Sequence, residues 1–121
     1  MATLLVNTGK AIVTSRLNSG GTIPQYVAWG TGAGTTGATD TTLFTEVTPR
    51  VSGTTSQVTT STTNDTFQVV GTQTAGTGET ITNAGLFDAS TSGNLFIKGD
   101  FTGIPLNTSD SIQFTFKVQF S

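Results

Sequence analysis

The sequence predicts an all-β domain, a β-sandwich or jelly roll, with one short N-terminal helix. Three observations point there. Residues 110–121, DSIQFTFKVQFS, place Ile112, Phe114, Phe116, Val118 and Phe120 at alternate positions with polar residues between, the period of a half-buried strand. The chain is rich in Thr, which favours strands, and in Ser and Gly (15 Gly), which favour turns. Apolar or alternating runs also recur at short spacing, separated by Gly, Ser and Thr clusters.

The elements follow in order. TLLV at 3–6 is a short apolar run. Ile12, Ser15 and Arg16 stand at helical spacing, Asn7 or Thr8 is placed to cap, and Gly20-Gly21 to stop, so a helix is predicted over 8–17; Val13 and Thr14 would equally suit a strand. IPQYVAWG at 23–30 reads as a strand entered through Pro24, and residues 31–42, TGAGTTGATDTT, as a long loop. Residues 43–53 combine an apolar anchor, Leu43 and Phe44, with the start of another strand. Two strands then meet at a turn near Asn64–Asp65, and residues 76–79 form another turn. Strands are predicted at 80–90 and 94–106, joined through TSG, and last at 111–120.

A length of 121 residues fits one domain, 1–121, with a single core. Only 10% of residues are charged and the net charge is −2, which leaves no electrostatic footprint for nucleic acid or an anionic membrane. No apolar run approaches membrane-spanning length, and MATLLVNTGK lacks the basic flank and long apolar stretch of a signal peptide. The expectation is a protein made inside a cell. So sparse a charge on a small chain suggests a surface that is covered in an oligomer or larger assembly.

Catalytic machinery is hard to assemble from these residues. The chain has no Cys and no His, so disulfides, Cys or Ser–His nucleophiles and ordinary zinc sites are out of reach. Gly32-Ala33-Gly34-Thr35-Thr36-Gly37 matches G-x-G-x-x-G, but ATDTTLF after it offers no amphipathic helix for a dinucleotide site. Gly9-Lys10 lacks the rest of a phosphate loop. The carboxylates Asp40, Glu46, Asp65, Glu79, Asp88, Asp100 and Asp110 show no paired spacing and mostly sit beside turn residues. Tyr26 and Trp29 fall on opposite faces of their strand by alternation, so core packing is the better reading than a sugar platform. No enzyme activity, metal or cofactor is expected.

Three stretches together resemble small tailed-bacteriophage structural proteins. LLVNTGKAIVTSRLNSG precedes YVAWGTGAGTTGATDTTLFTEVTPR, and TITNAGLFDASTSGNLFIKGDFTGIPLNTSDSIQFTFKVQF follows. In those proteins a WGTG segment leads through a polar loop to a DT-x-L-x-x-E segment ending in Arg, which Asp40, Leu43, Glu46 and Arg50 fit loosely. An I-x-E-A-G-L-F strand, a Gly turn and a terminal alternating strand come later, and Ile81, Ala84, Gly85, Leu86 and Phe87 fit that part. Asn83 stands where Glu is common, which removes any ion pair from that position.

The resemblance implies a non-enzymatic virion component. A free-standing domain that starts at Met1 and closes on its last strand suits a capsid cement (decoration) protein, bound to the outer capsid surface between coat subunits. The alternative is a tail fibre, baseplate or carbohydrate-binding receptor component. The expected partner is the major capsid protein, or alternatively tail proteins, and the chain is expected to be a homo-oligomer, dimer or trimer. Segments 1–10 and 31–42 are the expected contact regions, with Thr3, Leu4, Thr31, Gly32, Gly34, Thr35, Thr36 and Gly37 as candidate contacts. A frayed terminus and a disordered loop are the plain alternative. On the contact reading, trimming 31–42 should weaken capsid binding and leave thermal unfolding nearly unchanged.

Overall fold

The computed structural model of the chain describes residues 3–120, all but the side chains of Leu17 and Asn18. Its elements run β1 (Thr3–Leu5), α1 (Asn7–Ser19), β2 (Tyr26–Gly30), β3 (Glu46–Ser52), β4 (Thr54–Val58), β5 (Thr66–Thr74), β6 (Glu79–Phe87), β7 (Leu95–Leu106) and β8 (Ser111–Gln119). The strands form two antiparallel sheets, one ordered β1-β7-β6-β2-β3 and the other β4-β5-β8. They pack face to face as a β-sandwich, the predicted class.

The first of the three crossings from one sheet to the other is made at a single residue. β3 leads through Gly53 straight into β4, and the Gly53 N–H is held by the Gln25 carbonyl at 2.7 Å. A Cβ on Gly53 would lie 2.5 Å from Val69 Cγ1 and 3.1 Å from the Val70 carbonyl oxygen, so the corner has room only for glycine. The stretch 43–53 divides as expected: Leu43 and Phe44 anchor the end of the loop, and β3 begins at Glu46.

Between the sheets, alternation does what the sequence pattern requires. Val27, Leu86, Ile97 and Val69 form one buried cluster, with Phe67, Phe114, Phe116 and Val118 packed against it. Trp29, Ala75, Ile81 and Ala84 form a second, where Phe114 meets the Trp29 ring edge-on at 6.3 Å between centroids. β5 comes closest to β2 at Gly71, where a Cβ would stand 2.6 Å from Val27 Cγ2.

α1 starts at Asn7 and stops at Gly20, whose φ of 73° is a conformation that glycine adopts freely. The expected side-chain cap is absent: Val6 occupies the N-cap position. Thr8 instead donates its hydroxyl to the Leu95 carbonyl at 2.7 Å, and Asn7 N–H goes to Ala38 O at 2.8 Å. The helix is thus fixed from outside itself, and Ile12 enters the inter-sheet cluster. Gly9 belongs to this contact, since a Cβ there would be 2.1 Å from the Phe96 carbonyl oxygen. The predicted turn before β5 is also present. Asn64 takes φ 59°, and the Asp65 carboxylate accepts the N–H groups of Thr60, Ser61 and Thr62 at 2.9–3.0 Å. Those N–H groups, Thr62 first, hold the Asp65 carboxyl well below the usual carboxylate range.

Gly71→Val should force the sheets apart at β2–β5. Overpacking of this kind costs about 1–3 kcal/mol, so the urea midpoint should fall while the m-value stays unchanged; a midpoint equal to that of the natural chain would show that β5 has slack at this position.

Candidate functional site

The outer face of the five-stranded sheet is where the candidate contact residues gather. That face presents Ala28, Phe87 and Leu95, which pack with Val6 and Leu43. It also presents Asn83 and Lys98, both fully buried. A strand face carrying an amide and an ammonium cannot be left dry without partners. The segment 31–45 lies over it and supplies them.

Lys98 is the central tie. Its Nζ donates to Asp40 Oδ2 and to the Thr42 carbonyl, both at 2.9 Å, and sits 3.3 Å from the centroid of the Phe44 ring. The ammonium therefore has a counter-charge, a carbonyl and an aromatic face in place of water. The Asp40 carboxyl is held below the usual carboxylate range first by its hydrogen bond from Lys98 and then by the Gly37 N–H; burial and the nearby Asp100 act in the opposite direction.

Asn83 makes the second tie. Its Oδ1 accepts the Phe44 N–H and its Nδ2 donates to the Phe44 carbonyl, each at 3.0 Å. The position needs a group that donates and accepts at once, which an amide provides and an ionised Glu does not. Asp100 makes the third, accepting the Thr36 N–H at 3.0 Å. Thr31 and Gly32 donate their N–H groups to the Thr45 and Phe44 carbonyls, and Gly32 and Gly34 lie against the Phe44 side chain so closely that a Cβ on either would come within 3 Å of it.

Each candidate contact residue can now be placed. Thr31, Gly32 and Gly37 are partly buried in this cover and Thr36 is buried, while Gly34 and Thr35 form its exposed tip. Thr3 is exposed on β1 opposite Gly99, and Leu4 is partly buried opposite Lys98. Met1 and Ala2, also within the expected contact segment, lie outside the described residues. The loop 31–42 is not a free arm. Its removal would strip Lys98 of its counter-charge and Asp100 of the Thr36 N–H, so trimming it does not leave stability unchanged. The roles of Asn83, Lys98 and Asp100 as ties to the loop escaped sequence reasoning; the available signal was Lys98 with Asp100, two charges inside the otherwise apolar stretch LFIKGDF.

Other candidate groups are also committed to the fold. Arg50 holds Glu46 through two hydrogen bonds at 2.7 and 3.1 Å, donates to the Ala89 and Ser92 carbonyls, and lies 3.5 Å over the Phe87 ring. Its side chain is only 7% exposed, so the pair is built into the fold. Asp88 accepts from Asn94 and pairs with Arg16, and Asp110 accepts the Asn107 N–H. Together with Asp40, Asp65 and Asp100, these carboxylates fasten loops; Glu79 is the remaining one. Trp29 is 2% exposed and in the inter-sheet core, while Tyr26 packs on the opposite face, so the two form no joint platform for a sugar. Phe120 and Ile23, the large apolar side chains most open to solvent at 52% and 47%, rim an apolar groove of about 350 Å³ against α1.

A family model described as Podophage GP4 fiber I protein gp80 matches residues 16–118. No curated protein and no solved structure matches the chain.

Asp40→Asn leaves the Lys98 ammonium buried without its counter-charge. Breaking one side of such a pair costs about 3 kcal/mol, and amides of the 31–45 segment should lose hydrogen-exchange protection before those of β5 and β8 do. Because the folded Asp40 carboxyl titrates below its unfolded value of about 3.9, its contribution is present above that pH and is lost as pH falls through the lower, folded value. The acid-induced loss of loop protection below about pH 4 should be absent in Asp40→Asn; an unchanged acid profile in that variant would mean that another carboxylate controls it.

Proposed function

The chain belongs to the podophage GP4 fiber I protein gp80 family, and from that premise we propose that it is a non-enzymatic structural module of a tailed-phage fibre. The carrying observation is the extent of the match, which runs from within α1 to β8 and so takes in nearly the whole sandwich. It supports a place in the virion, and favours the fibre over the capsid-cement role that the sequence alone suggested. Tail or fibre proteins, rather than the major capsid protein, are then the partners.

The physical construction suits a passive building block. Carboxylates that could serve chemistry are used to fasten turns and the outer cover. Both faces of the five-stranded sheet are covered over most of their area, the inner one by the second sheet and the outer one by the 31–45 segment, which limits local opening there. A net charge of −2 on 121 residues sets up little repulsion between crowded copies. The apolar rim of Phe120 and Ile23 is the kind of surface that an assembly covers.

Gold-labelled antibodies raised against the purified chain should decorate the fibres of intact virions in electron micrographs. Label over the head shell would instead assign the chain to the capsid, as would co-sedimentation with expanded heads but not with isolated tails.

A further inference from the structure

We propose that the free edge of β8 is a self-association surface, on which a second copy of this chain adds its own β8 antiparallel about a two-fold axis through Thr115. The inference goes beyond the fibre reading and does not depend on it.

Four strand edges border the two sheets, and three are guarded. β1 is three residues long, β3 carries Pro49, and β4 is a five-residue strand of sequence TTSQV. Short length and proline are ordinary means of keeping an edge from pairing. β8 has none of them. It is nine residues long, contains no proline, and carries Lys117 as its one charge. It pairs with β5 residue for residue from Thr66↔Gln119 to Thr74↔Ser111 with no bulge. Its other edge pairs with no strand among the described residues.

The packing beneath that edge is unfinished. A cleft of about 330 Å³ opens between β8 and the β7–β1 side of the larger sheet, with Ile97 and Phe101 on one wall, Phe114 and Phe116 on the other, and Thr3 at its margin. Phe101, Phe114 and Phe116 are only partly buried. The larger sheet reaches past its three-stranded cover here, and another strand beside β8 would bring side chains over the gap.

The sequence of β8 names the occupant. SIQFTFKVQ reads in the same chemical order from both ends about Thr115. Antiparallel pairing of two copies in that register sets Phe114 opposite Phe116 of the second copy, Ile112 opposite Val118, Gln113 opposite Lys117 and Ser111 opposite Gln119. Inner residues meet inner residues, so both Phe rows turn toward the clefts. Lys117 faces a neutral amide, whereas sliding the partner by four residues would set Lys117 against itself. A two-fold contact of this kind closes on itself and yields a dimer, not a filament.

The chain lacks cysteine, so single introduced thiols report the geometry cleanly. Thr115 is exposed on the outer face, and its variants leave the core alone. Directly opposed residues in an antiparallel pair are about 4.5–5.5 Å apart at Cα, which suits a disulfide. Two copies of residue 113 would be about 14 Å apart at roughly 3.4 Å per residue, which does not. Sedimentation velocity of the full chain should give twice the chain mass. Under mild oxidation Thr115→Cys should run as a cross-linked dimer on a non-reducing gel and Gln113→Cys as a single chain. Thr115→Lys places two ammonium groups together on the axis and should raise the dimer Kd about tenfold, with the urea midpoint of the monomer unchanged. A chain that stays monomeric at millimolar concentration, a trimer, equal cross-linking at 113 and 115, or a dimer untouched by Thr115→Lys would each overturn the proposal.

Discussion

A primary ammonium inside a β-sheet governs the outer half of this molecule. Lys98 is fully buried on β7, on the face that looks away from the second sheet. An isolated buried charge is prohibitive, so that face tolerates it only with a carboxylate, a carbonyl and an aromatic ring brought to it. All three come from one stretch of chain, through Asp40, Thr42 and Phe44. The segment has few apolar residues of its own, chiefly Leu43 and Phe44, and would have little reason to lie flat on a sheet by hydrophobic burial alone. The polar ties from Lys98, Asn83 and Asp100 supply that reason, and a loop becomes a third layer.

The inner half obeys a different constraint, which is close approach. Gly53 lets one strand change sheets, Gly71 lets β5 settle on β2, and Gly9 lets α1 rest on the β7 backbone. Each is a place where a methyl group would collide with a neighbouring strand, with its backbone at Gly9 and first with a valine side chain at Gly53 and Gly71. A main sheet tied on its outer face by polar bonds and packed on its inner face by the second sheet, with glycines at the tightest approaches, has few soft internal degrees of freedom. That is consistent with a passive part of a fibre, whose interactions lie at its edges and rims.

Much of the architecture is legible in the amino-acid order alone. β8 stands out because it buries one face only, and period-two alternation is the mark of that situation. The Asn64–Asp65 turn and the stop at Gly20 are legible because local backbone chemistry decides them. The outer cover is not. Residues 31–42 contain no periodicity, and the cover they belong to is held by hydrogen bonds between residues far apart in sequence, such as Asn83 and Phe44, 39 positions apart. β6 over Asn83–Phe87 and β7 over Leu95–Gly99 are buried on both sides, so Asn83 and Lys98 could not be assigned a face or a partner from their neighbours. The candidate contacts therefore divide: Gly34 and Thr35 remain at the surface, whereas Thr36 belongs to the packed cover.

The pairing of β1 with β7 has a consequence for how the chain reaches this state. Thr3 to Leu5 register against Gly99 to Ile97, and Thr66 against Gln119, so β1 waits for β7 to be synthesised and β5 waits for β8. Loop closures of this length carry their entropic cost before any contact rewards them, and they slow folding. During that wait the inner residues of β5, Phe67 and Val69 among them, lack the strand that packs beside them. A nascent chain on a crowded ribosome is then most open to wrong pairings through the same residues that complete the sandwich, and the sparse charge of the sequence gives it little electrostatic protection.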